Sequence, residues 1–65
     1  MTWFVEARLA WIKEMIEIFG FINRDHVTKK FGVTKQVASK DFGEVAKRWP
    51  ELMRYDATGK RYVRK

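Results

Sequence analysis

Between residues 2 and 19 apolar side chains recur every three or four positions. At about 100° per residue, Val5, Leu9, Ile12, Ile16 and Phe19 form one stripe, and Phe4, Ala7, Trp11, Met15 and Ile18 form a second beside it. The pattern predicts a helix over 2–19, capped by Thr2 and stopped at Gly20. Glu6 falls near its first turn, where a negative charge suits the helix dipole. Together the stripes cover roughly half the circumference, wider than the arc of little over 100° that a surface helix needs. One stripe can serve the chain's own core. The other, Phe4, Ala7, Trp11, Met15 and Ile18, is then a candidate homodimer or partner surface. The rival reading is that the C-terminal segment folds back and covers it.

Phe21-Ile22 is a short apolar link able to pair as a minimal strand. Asn23 is a good N-cap for a second helix over 24–31, with Asp25 in its first turn and Val27 and Phe31 at core spacing. Gly32 ends that helix, Val33 is expected to be buried in the turn, and Thr34 caps a third helix over 35–49, closed by Pro50. On its wheel Ala38, Phe42, Val45 and Trp49 share a narrow arc, the core side. Gln36, Lys40, Gly43 and Lys47 lie opposite, with Ser39 at one flank and Lys35 beside Thr34. After Pro50 the period changes to two, and Met53-Arg-Tyr-Asp and Lys60-Arg-Tyr-Val-Arg predict a hairpin over 53–64 with Gly59 at the turn. A two-stranded hairpin is not stable alone, so it must lie on the helices. The expected fold is mainly α with a small β-hairpin, three helices plus a C-terminal wing, in one domain over 1–65.

Charge divides the chain. The net charge is +6, yet residues 1–22 carry only Arg8 and Lys13 against Glu6, Glu14 and Glu17, so the basic excess lies entirely in residues 23–65. A basic segment joined to a near-neutral apolar one suggests polyanion contact for the first and packing for the second. The plainer alternative is a solvated basic surface. With no cysteine, disulfides and thiolate metal sites are excluded, which suits a reducing cytoplasm. The charges within the N-terminal stretch leave neither a signal peptide nor the roughly 20 mainly apolar residues of a membrane span.

Helix, Gly turn and capped helix with a basic outer face are the geometry by which a small domain inserts a helix into the DNA major groove. Gln36 can pair with adenine, Lys40 and Lys47 can reach guanine or phosphate, and Ser39 can donate or accept. The free N–H groups at Thr34, Lys35 and Gln36 suit a phosphate oxygen. Gly43 permits close approach, or else it is a packing residue. The same polar row could equally be an ordinary solvated face. The hairpin adds Arg54, Lys60, Arg61 and Arg64 as phosphate contacts, with Lys65 beyond them, whereas Tyr55 and Tyr62 are expected to pair across the strands.

In order along the chain stand Arg8-Leu-Ala-Trp-Ile, Gly20-Phe-Ile-Asn-Arg24, Phe31-Gly-Val, Val37-Ala-Ser-Lys-Asp41, Pro50, Tyr55-Asp56 and Arg61-Tyr-Val63. These resemble the winged helix-turn-helix of DeoR-type bacterial repressors, and more closely the N-terminal DNA-binding domain of WYL-domain transcriptional regulators, including those of phage-defence operons. The resemblance covers nearly the whole chain. It implies a dimer on palindromic operators, repression in the bacterial cytoplasm, and reading by Thr34, Lys35, Gln36, Ser39 and Lys40. That family's ligand-sensing domain is not in this sequence, so inducer sensing is not implied. The chain is then either freestanding or a piece of a longer regulator.

Other residues carry less. His26, the sole histidine, is a poor metal site without cysteine partners. Glu14 and Glu17 lie on the polar side of the first helix. No Ser–His–Asp order or Gly-rich phosphate loop is present, so neither catalysis nor a cofactor is expected. Arg8 interrupts the apolar arc, and two readings stand: an ion pair with Asp41, or an aliphatic stem that packs while its head reaches water. The rival function is a protein-interaction module that uses the aromatic face of helix 2–19.

Overall fold

A computed structural model describes residues 3–65. Three helices, α1 (Trp3–Phe19), α2 (Arg24–Phe31) and α3 (Lys35–Arg48), support a small antiparallel sheet whose first strand lies between α1 and α2. Its strands are β1 (Phe21–Ile22), β2 (Met53–Asp56) and β3 (Arg61–Arg64), in the order β1-β3-β2. This is the mainly helical architecture with a C-terminal wing that the periodicity predicts. The expected cap at Thr2 lies outside the described residues.

Local chemistry explains each boundary. Gly20, at φ 84°, turns the chain out of α1 while its N–H still bonds to the Ile16 carbonyl at 2.9 Å. Asn23 Oδ1 accepts from His26 N–H at 3.1 Å, and His26 Nδ1 accepts in return from Asn23 N–H at 3.2 Å, a reciprocal cap for α2. Gly32 takes the left-handed conformation, φ 66°, that ends α2. Thr34 Oγ1 then accepts from Val37 N–H at 3.2 Å to start α3.

The core collects one face from each helix: Leu9, Ile12 and Ile16 of α1, Val27 of α2, and Ala38, Phe42 and Val45 of α3, with Ile22 and Met53 from the strands. Three expectations need correction. Phe19 is 64% exposed, because α1 overshoots the core in its last turn before Gly20 diverts the chain. Trp49 falls just past the end of α3 and is only partly buried, its extended φ of −133° breaking the helix ahead of Pro50. Val33 is likewise only partly buried in the turn.

The hairpin does not rest on packing alone. Phe21 and Ile22 pair with Val63 and Tyr62, so β3 becomes the central strand of three. The Tyr62 ring stacks on Phe42 at 4.2 Å between centroids, which seats the wing against α3. Arg64 Nη1 donates to the Glu17 carbonyl at 3.1 Å. It thereby supplies a cation to the end of α1, whose own last turn has none.

The second apolar stripe of α1 is divided by its neighbours. Trp11 meets Phe31 edge-to-face at 5.5 Å and is partly buried, as are Ala7 and Met15. Phe4 and Ile18 are 69% and 61% exposed. The cover over the middle of the stripe comes from α2, not from the C-terminal segment, because the short turn at Gly20 brings α2 back beside α1.

Candidate nucleic-acid interface

The buried face of α3 dictates what its other face presents. With Ala38, Phe42 and Val45 turned inward, Lys35, Gln36, Ser39, Lys40, Gly43 and Lys47 are all exposed along one side, and Thr34 is exposed at the cap. A Cβ built on Gly43 meets nothing within 4 Å, so packing supplies no reason for glycine there. Lys47 Nζ lies 3.9 Å from Glu44, a contact at the rim of this face.

The hairpin cations separate into two groups. Arg54 and Lys60 are exposed and have no partner among the described residues. Arg61 lies over the Phe21 ring at 5.0 Å and 3.9 Å from Asp56 Oδ2, and Arg64 is held at the end of α1. Both engaged cations belong to β3, at its two ends, and fasten the sheet, while Arg54 of β2 and Lys60 of the loop stay unpaired. Tyr55 meets Tyr62 edge-to-face at 5.0 Å, the expected pairing across the strands.

Asp56 Oδ1 accepts from the Thr58 and Gly59 N–H groups at 3.1 and 3.2 Å and shapes the wing tip. Immediately after it, Lys60 is the one described non-glycine residue at positive φ, 54°.

Ion pairs elsewhere sharpen the charge pattern. Asp41 is buried on the margin of α3 and takes a two-point contact from Arg8, 2.5 Å from Nε and 3.3 Å from Nη2. Glu6 accepts two hydrogen bonds from Arg48 at 2.7 and 2.8 Å. Those bonds hold the Glu6 carboxyl below the usual carboxylate range and raise the Arg48 guanidinium, outweighing the opposing desolvation. Lys13 pairs with Glu17 at 2.9 Å. Among the described residues, cations in no ion pair include Lys35, Lys40, Arg54, Lys60 and Arg24, all around the N-terminal half of α3 and the wing.

Arg24 has no assigned role in the sequence reading beyond opening α2. Its Nη1 donates to Ser39 Oγ at 3.2 Å, joining the supporting helix to the outward face of α3. No local pattern signals this contact, which depends on how α2 and α3 cross.

A family model for the BrxR transcriptional regulator winged helix-turn-helix domain matches residues 3–65. The chain belongs to that family. No curated protein matches it. Membership agrees with the resemblance to winged-helix regulators and assigns the chain to DNA binding and transcriptional regulation, not to an enzyme class. Among the described residues, no helix of this winged helix is long and apolar enough to cross a membrane.

Proposed function

We propose that this winged helix binds double-stranded DNA sequence-specifically and acts as a dimeric transcriptional repressor in the bacterial cytoplasm. Helix α3 enters the major groove. Gln36 and Lys40 read base edges, with Ser39 beside them, and Gly43 lets the helix approach closely. Lys35, Lys47 and the Thr34 cap take flanking phosphates, and Arg54 and Lys60 grip the backbone from the wing. Arg61 and Arg64 serve chiefly to hold the wing in place. The observation that carries this reading is the single uncovered row from Lys35 to Lys47 on a helix whose other side is core.

Selection of binding sites from random duplexes tests it. The protein should enrich a two-fold symmetric site, with half-site spacing that reports the dimer. A Gln36→Ala, Lys40→Ala double variant should lose preference for that site and retain weak, salt-sensitive binding. Unchanged discrimination in the double variant would overturn the assignment of α3 as reader.

The exposed Phe4 and Ile18, with Trp3 at 74% exposure, support a second copy of the chain as the partner of α1. They also keep open a second function, a protein-interaction module acting through the same face. Binding measured against salt separates the two, because such a module would show little DNA affinity at moderate ionic strength.

A further inference from the structure

We propose that the cleft between α3 and the wing is a seat for one nucleic-acid phosphodiester, built by Arg24, Ser39 and Lys60. The inference rests on the DNA-binding reading and adds to it Arg24 of α2 and a cleft that joins it to Ser39 at the edge of the α3 face and to Lys60 of the wing. The cleft has a volume of about 250 Å³ and is lined by Asn23, Arg24, Ser39, Tyr55, Lys60 and Tyr62. None of these six is acidic. Two carry full positive charges, and the rest offer hydroxyl or amide groups.

The donors are arranged for an anion. Arg24 uses one N–H on Ser39 Oγ, which fixes the guanidinium while its other donors remain unengaged. Accepting that bond leaves the Ser39 hydroxyl free to donate. Ser39 is thus a positioning residue for Arg24 as well as a donor. One wall is rigid, because Tyr62 is stacked on Phe42 in the core and braced by Tyr55. Past Asn23 the cleft adjoins a smaller depression bordered by Lys35, Asp25 and again Arg24 and Lys60, where cations outnumber the single carboxylate.

Lys60 supplies the independent observation. A left-handed conformation is cheap for Gly or Asn and unfavourable for Lys. At this position the long side chain borders both depressions, facing Arg24 across the cleft. The hairpin loop closed by Asp56 and Arg61 sets this conformation at its last residue, and it leaves the Lys60 ammonium exposed and without an ion-pair partner among the described residues, free to meet an anion. A phosphodiester passing between α3 and the wing would meet Arg24 on one side and Lys60 on the other. Such a contact fixes register without reading sequence.

The test compares salt dependence of duplex binding for the wild-type chain, Arg24→Gln, Lys60→Asn and Lys29→Gln. Asn at position 60 keeps the left-handed turn and removes the charge. Lys29→Gln removes the same charge from an exposed position of α2 outside the cleft. Arg24→Gln and Lys60→Asn should each lower the slope of log K against log salt by about one unit, with discrimination between selected and random duplexes preserved. Lys29→Gln should leave the slope close to wild type.

Slopes unchanged in both cleft variants would overturn the seat while leaving DNA binding intact. Absence of any salt-dependent duplex binding by the wild type would overturn both readings. A further arm replaces chloride by inorganic phosphate at matched ionic strength. Duplex binding should be unaffected, and selective displacement in the wild type but not in Arg24→Gln would instead identify a site for free phosphate.

Discussion

Arg8 Nε donates to Asp41 Oδ2 at 2.5 Å across 33 residues of sequence, tying the middle of α1 to the buried margin of α3. The side chains are only 13% and 4% exposed, so the pair is nearly dry. Its meaning for function is mechanical: the helix with the exposed polar row is anchored by its opposite side to the longest helix. Of the two readings open for Arg8, the structure realises the ion pair.

Removing one partner should therefore cost far more than removing both. Arg8→Ala leaves the Asp41 charge buried without compensation, a loss of roughly 3 kcal/mol, whereas Arg8→Met with Asp41→Leu should recover much of it. Urea denaturation of the single and double variants measures the difference. A cost below about 1 kcal/mol for Arg8→Ala would mean that the carboxylate is hydrated after all.

Glu6 and Arg48 make a second bridge between the same helices, at the surface, and there the signature is pH. The carboxyl of Glu6 is depressed in the folded state, chiefly by its hydrogen bonds to Arg48. Its contribution to stability is therefore complete above the ordinary glutamate range and is lost as pH falls through the lowered folded value. Melting temperature followed from neutral pH into acid should fall less steeply in Glu6→Gln than in wild type. Parallel curves would show that the bridge contributes nothing to folding.

Gly43 gives opposite predictions for stability and binding. Its added Cβ meets nothing, and alanine is the better helix former, so Gly43→Ala should stabilise the fold by roughly 0.5–1 kcal/mol. If α3 approaches DNA closely there, the same variant should bind its site more weakly. A variant both more stable and equally tight would place Gly43 outside the contact.

The α1 surface is tested best at its ends. Phe4→Glu with Ile18→Glu changes exposed positions and should alter stability by no more than about 0.5 kcal/mol while weakening self-association and operator affinity together. Trp11→Glu is the poorer test, because Trp11 packs against Phe31 and its loss would destabilise the fold as well. Sedimentation of wild type as a monomer at tens of micromolar would argue against the dimer.

How much was legible follows from the range of each interaction. The three helices, the caps at Asn23 and Thr34, the stops at Gly20 and Gly32 and the outward row of α3 all follow from the sequence alone. Each depends on residues within a turn or so of one another, where periodicity and backbone chemistry act directly. The Arg8–Asp41 pair could be anticipated, but only as one of two readings, because a charge on an apolar arc demands a partner without naming it.

Tertiary structure alone decided the rest. It put Phe31 over Trp11, made β3 the central strand, drew Arg64 to the end of α1 and brought Arg24 to Ser39. These contacts join residues 15 to 47 positions apart, or depend on them. Their geometry is set by how helices cross and how a strand docks, and no local pattern encodes either. The sequence by itself determined which face of α3 is free; the packing of α2 and the wing around that face determined the cleft beside it.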